Sequence, residues 1–216
     1  MPHADASLVP ATITSKIEFW DHVHNQLSIV LSGQRNWVTN LSIAASLIYS
    51  SLLSFPLHFG GSDRAVNWCG FYLIPVLFPL PRFVTKSKPA DARDSTAVNT
   101  IDIDDAISTI FLGPYCGKPA CQYINVSPGR SRGVCADAYL RRQTMLVENV
   151  HDYPGHIACD GDTKSEIVCP LILNRDGEDV VLGVLDLDCL AHAGFNDEDQ
   201  VGLEKIAKLV VDACDW

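Results

Sequence analysis

The amino-acid sequence predicts an α+β fold, a mainly antiparallel β-sheet covered by helices. Three observations lead there. Two helical patterns open the chain. Two long apolar strands near its end flank a tight-turn sequence. No regular alternation of strand and helix links them, so hairpins rather than parallel crossovers organise the sheet. With 216 residues and a hydrophobic share of 47%, the chain suits a single domain with its own core. We read residues 1–14 as a disordered lead and 15–216 as one domain, with a long insertion at about 75–106.

The elements follow in order. Ser15 and Glu18 form a capping-box signature. Trp20, Val23, His24, Leu27 and Val30 then recur at helical spacing until Gly33. A second helical stripe, Trp37, Leu41, Ala44, Ala45, Ile48 and Leu52, stops before Pro56. The apolar stripes of this helical hairpin suit a partner layer, and also a homodimer. "NWCGFYLI" (67–74) is rich in aromatic and apolar residues and reads as a strand. Four prolines and an acidic run make 75–106 a long connection. "AISTIFL" (106–112) reads as a strand, 113–133 as turn-rich chain, Gly133 to Arg142 as a short helix and "TMLVENV" as a strand. "SEIVCPLIL" and "DVVLGVLDLD" form a hairpin around "NRDGE". The last helix starts near Asn196, with three acids in its first turn.

Composition excludes some functions. A net charge of -10 argues against sequence-independent nucleic-acid binding and against docking on an anionic membrane. The two apolar stretches, 41–55 and 71–84, are too short to span a bilayer. The N-terminus lacks a secretory pattern, so a cytoplasmic, reducing compartment is expected. Eight cysteines then point to catalytic, redox or metal roles before a disulfide framework. Cys69, Cys169, Cys189 and Cys214 sit in apolar runs and fit as small core residues.

Strand periodicity brings candidate site residues together. Trp68, Gly70 and Tyr72 share one strand face. Asp186 and Asp188 share another, and Glu166 begins the hairpin partner, which places the three acids side by side. They face solvent, hold a divalent metal through oxygen ligands or receive a ligand ammonium; Trp68 and Tyr72 are core residues or aromatic walls for that ammonium. Cys116, Cys121, Cys135 and Cys159 lie in the glycine-rich half with His151 and His156. Their spacing fits a structural zinc site poorly, since no Cys-x-x-Cys pair occurs. Scattered loop thiols suit a redox set better, and inert thiols remain open from spacing alone.

Several blocks carry a resemblance: "GPYCGKPACQ" (113–122), "RGVCADA" (132–138), "VHDYPGHIACD" (150–160), "SEIVCPLI" (165–172) and "GVLDLD" (183–188), with "GQRNWVTNLS" (33–42) and "NWCGFYL" (67–73). In this order they resemble the free methionine-R-sulfoxide reductases, stand-alone GAF-domain enzymes, from about Gln26 to the C-terminus. The resemblance implies a GAF-like fold and thiol-dependent reduction of free methionine-R-sulfoxide, with thioredoxin as reductant and no metal or organic cofactor. It implies Cys159 as nucleophile, Cys121 as leading resolving cysteine and Cys135 as a third redox thiol. Trp68, Tyr72, Glu166, Asp186 and Asp188 match the substrate pocket. The chain departs from the family at the longer 74–107 connection, at extra residues around "SPGRS", at Ala136 and at the additional Cys116 and Cys169. The alternatives are a GAF module that binds a small ligand or senses oxidation without turnover, and a metal-binding domain.

Overall fold

The capping box at Ser15 starts the first regular helix as the sequence predicts. Ser15 Oγ accepts from the Glu18 backbone N–H, and the Glu18 carboxylate accepts from that of Ser15. Helix α1 spans Lys16–Val30. Helix α2, capped by Asn36, spans Trp37–Leu53, and a one-turn helix, α3, spans Pro56–Phe59. This computed structural model describes residues 3–78, 108–129, 133–157 and 159–216. Most of the expected 75–106 insertion and the "SPGRS" block's last residues lie outside them. The lead differs from expectation: His3–Ser7 form a turn of 3-10 helix that lies against α1 and α2 and buries Ala6. A short apolar contact at Ala6 thus holds this turn against the helices.

Six strands follow among the described residues: β1 Val66–Leu73, β2 Thr109–Gly117, β3 Tyr123–Asn125, β4 Met145–Val147, β5 Ser165–Arg175 and β6 Glu178–Cys189. They make one sheet in the order β3-β2-β1-β6-β5-β4, and every pairing is antiparallel. Helix α4, Val134–Arg141, precedes β4, and helix α5, Asp197–Asp212, closes the chain. The β5–β6 hairpin turns at Asp176 and Gly177, both with positive φ, as a two-residue hairpin turn requires. Among the described residues no helix is long and apolar enough to cross a membrane.

The strand at 106–112 is a correction. It runs instead from Thr109 to Gly117, through a glycine and a proline that read as turn. Gly113 and Pro114 fall at a bulge, between the Gly70–Tyr115 and Tyr72–Leu112 pairs of the ladder. Proline is tolerated there because the ladder hydrogen bond is already missing.

Period-two alternation divides the sheet into two faces. Cys69, Phe71, Ile167, Cys169, Leu185 and Leu187 point to one side, into a core shared with α1, α2 and α5. Buried inside it, Lys16 is ion-paired with Asp199, and Trp20 Nε1 donates to the other Asp199 oxygen at 2.8 Å. This clasp locks α1 to α5. On the opposite face Trp68, Tyr72, Val147, Val168 and Val184 form a second, smaller cluster with α4. That smaller cluster is incompletely roofed, and the cavity lies there.

Candidate active site

β1 is central in the sheet, so its neighbours meet over it. Trp68 stands opposite Asp188 and Gly70 opposite Asp186 on β6. On the next strand Glu166 stands opposite Asp188. The three acids are thus brought together on the face that carries Trp68 and Tyr72. Gly70 leaves the space across which Trp68 lies: a Cβ there would come within 2.5 Å of the indole and 2.4 Å of Tyr115 Cβ. Trp68 stacks between Tyr72 at 5.8 Å and Tyr115 at 5.6 Å, measured between ring centroids. An aromatic wall results, one residue longer than the sequence predicts.

Two loops roof this floor. The segment after β2 carries Lys118 and Cys121. The segment before β5 carries His156, Cys159 and Asp160. Lys118 Nζ meets Asp160 at 3.0 Å and Asp162 at 3.1 Å, joining the loops. Asn67 Nδ2 donates to Asp160 Oδ2 at 3.0 Å and to Thr163 Oγ1 at 2.9 Å, which fastens the second loop to β1. The Lys118 ammonium holds the Asp160 carboxyl below the usual carboxylate range. The first loop is fastened by Tyr72, whose hydroxyl donates to the Cys121 carbonyl at 3.0 Å. These tethers set the Cys121 and Cys159 Cα atoms 5.9 Å apart, and the two cysteines form a disulfide, at a separation typical of such bonds.

All eight residues singled out from the sequence, Trp68, Tyr72, Cys121, Cys135, Cys159, Glu166, Asp186 and Asp188, line one cavity of about 280 Å³. Cys159 is exposed and Cys121 half-buried at its rim. Cys135, in the first turn of α4, is buried beneath them and free. Its thiol donates to Asp186 Oδ2 at 3.3 Å and faces Glu166 Oε1 at 3.7 Å. Burial, reinforced by the Asp186 and Glu166 charges, pushes the Cys135 thiol well above the usual range.

Sequence reasoning missed Tyr115, Lys118 and Asn67. It named His156 only as a poor zinc candidate, whereas His156 Nε2 lies 3.6 Å from Glu166 Oε2. Lys118 and His156 come in on loops, which no periodic signal marks, and Tyr115 pairs with Gly70 in a part of β2 that reads as turn from the sequence.

The electrostatics of the floor are lopsided. Burial pushes the Asp186 carboxyl up to about 7. Burial and the Asp186 charge push Glu166 and Asp188 well above the carboxylate range. Burial, then His151, lowers the His156 pKa, so the imidazole is neutral at pH 7 and offers the acids no balancing charge. Asp186 Oδ1 is buried without a hydrogen-bond partner among the described residues. Burial therefore favours protonated acids, and a bound cation would let them ionise.

A pH dependence of stability follows. The folded protein holds the Asp186 proton to about pH 7, whereas the unfolded chain releases it near pH 4. The resulting stabilisation is full below pH 4 and is lost as pH rises through 7. Urea unfolding of the Asp186→Asn protein should show a gain over the parent that grows from pH 5 to pH 8, on the order of a few kcal/mol. A gain independent of pH would contradict the assignment.

Comparison with known proteins places this geometry. No protein-family model matches the chain. It is 41% identical over 182 residues to the free methionine-R-sulfoxide reductase of Saccharomyces cerevisiae, covering 84% of this chain and 78% of that protein. To the Escherichia coli protein of the same name it is 31% identical over 192 residues, covering 89% and 86%. Among solved structures, a GAF domain superposes with a TM-score of 0.75 at 35% identity, covering 100% of this chain and 98% of that one. The Neisseria meningitidis free methionine-R-sulfoxide reductase, solved with its substrate, superposes with a TM-score of 0.68 at 27% identity, covering 95% and 93%.

Proposed function

The chain belongs to the free methionine-R-sulfoxide reductase family, with the GAF fold, and from that premise we propose that it reduces free L-methionine-R-sulfoxide to methionine through Cys159. One observation carries the reading: the Cys121–Cys159 disulfide lies over a cavity floored by three acids, of which Glu166 and Asp186 are buried. A reversible thiol couple thus adjoins a pocket suited to an ammonium group.

In the reduced enzyme the Cys159 thiolate attacks the sulfoxide sulfur. One of the three carboxyl groups, kept protonated near neutral pH by burial, gives its proton to the departing oxygen. The remaining acids pair with the substrate ammonium, and Trp68 and Tyr72 enclose the side chain. Methionine leaves, the oxygen passes to Cys159 and a sulfenic acid forms. The Cys121 thiol displaces it as water, which gives the Cys121–Cys159 disulfide. Thioredoxin then reduces that bond by thiol exchange, transferring two electrons and two protons. Cys135 lines the same cavity as a reserve redox thiol; its raised pKa leaves it little thiolate with which to attack. This cycle uses no metal or organic cofactor.

The test is a coupled assay with thioredoxin, its reductase and NADPH. One NADPH should be consumed per free methionine-R-sulfoxide supplied, with no consumption on the S epimer. Binding of the sulfoxide without NADPH consumption would favour a ligand-binding module instead.

A further inference from the structure

Donor atoms of different chemistry converge beneath the disulfide. One ligand atom each from Cys135, Glu166 and Asp186 lies within 4.8 Å of the others. Bond lengths of about 2.3 Å to sulfur and 2.0 Å to oxygen give a tetrahedral zinc site an S···O edge of about 3.5 Å. The edges here, 3.3 Å from Cys135 Sγ to Asp186 Oδ2 and 3.7 Å to Glu166 Oε1, bracket that value. His156, its side chain 13% exposed, brings Nε2 within 3.6 Å of Glu166 Oε2. Asp186 is itself 94% buried, its exposure being 6%, and its Oδ1 lacks a partner among the described residues where the residue lines the cavity.

We propose that Cys135, Glu166 and Asp186 form a binding site for one Zn2+ ion, with the fourth position open to the cavity. A thiolate and two carboxylate oxygens suit a borderline-soft cation. Calcium and magnesium prefer a cage built of oxygens alone. Binding releases the Cys135 thiol proton and the protons held on the acids, with no change of oxidation state. The dication then balances the Glu166 and Asp186 carboxylates, which no Lys or Arg among the described residues pairs with. Neither Cys121 nor Cys159 is needed, so the ion enters the disulfide form as well as the dithiol form. Resting on the function proposed above, the ion and the substrate ammonium exclude each other. Zinc is then a reversible inhibitor that a chelator removes.

The experiment uses the full-length protein with its Cys121–Cys159 disulfide formed, titrated with Zn2+ against a chromophoric chelator. Co2+ serves as the spectroscopic probe. One equivalent should bind, and Co2+ should show a near-ultraviolet thiolate-to-metal band. Cys135→Ser should abolish the band and weaken Zn2+ binding by about 100-fold. Asp186→Asn, whose amide oxygen still accepts the Cys135 hydrogen bond, provides a second variant and should weaken binding likewise, with circular dichroism confirming its fold. The site is overturned if the oxidised protein takes up no Zn2+, or if both variants bind as tightly as the parent. A protein that reduces methionine sulfoxide but ignores Zn2+ overturns the site and leaves the function. A protein that binds Zn2+ through Cys135 but never reduces the sulfoxide overturns the function and leaves the site.

Discussion

Replacing Cys159 with serine is expected to abolish reduction of free methionine-R-sulfoxide, with a loss of about 1,000-fold or more in turnover. The expectation rests on differences among three thiols of one cavity. Cys135 is buried against two acids, and its thiol is pushed well above the usual range, which leaves little thiolate to attack. Cys121 is half-buried, on a loop pinned by the Tyr72 hydroxyl. Cys159 is exposed at the rim, where an incoming sulfoxide meets it first. The Cys121→Ser protein should behave differently. It should release one equivalent of methionine per enzyme, accumulate a sulfenic acid that dimedone traps, and then stall with thioredoxin. Rapid-quench measurement of methionine separates the two variants. Full turnover by Cys159→Ser, or no first-turnover burst from Cys121→Ser, would reverse the roles.

Acetylation of the substrate nitrogen should lower kcat/KM by about 100-fold or more. Removing one partner of a buried, hydrogen-bonded charge pair costs roughly 2–5 kcal/mol, and each 1.4 kcal/mol is a factor of ten. Among the described residues the acids have no other cation to turn to: His156 is neutral at pH 7 and Lys118 is engaged by Asp160 and Asp162. The sign of the pH effect follows from the same shifts. Ammonium binding requires ionised acids, and burial raises their pKa values. KM for the free amino acid should therefore fall from pH 5 to pH 8, while that of the N-acetyl compound stays level. The measurement is kcat/KM for both compounds across that range. Equal values would remove the acids from substrate recognition.

Where a single periodicity governed the chain, the sequence was readable. Alternation alone placed Glu166, Asp186 and Asp188 on one face, and the ladder pairs Glu166 with Asp188 as that reading requires. The capping box at Ser15 and the turn at Asp176 and Gly177 are local signals, and both stand. The cysteine pair was not readable in this way. Cys121 and Cys159 meet because Lys118, Asn67 and Tyr72 fasten two loops, and only family resemblance anticipated their partnership. Strand β2 was misjudged because Pro114 is a breaker in isolation and acceptable at a bulge. The contact of Cys135 with Glu166 and Asp186 joins a helix start to two strands, a distance no local pattern reports.

The strand order also bears on how the chain comes to be folded. β1 lies between β2 and β6, and its pairing of Trp68 with Asp188 must wait for nearly the whole sequence. Such non-local pairing slows folding, since the loop entropy is lost before the contacts repay it. During synthesis, Cys69, Cys116, Cys121 and Cys135 all leave the ribosome before β6 exists to complete the sheet beside them. The floor beneath the Cys121–Cys159 couple is complete only once β6 has joined β1 and β5.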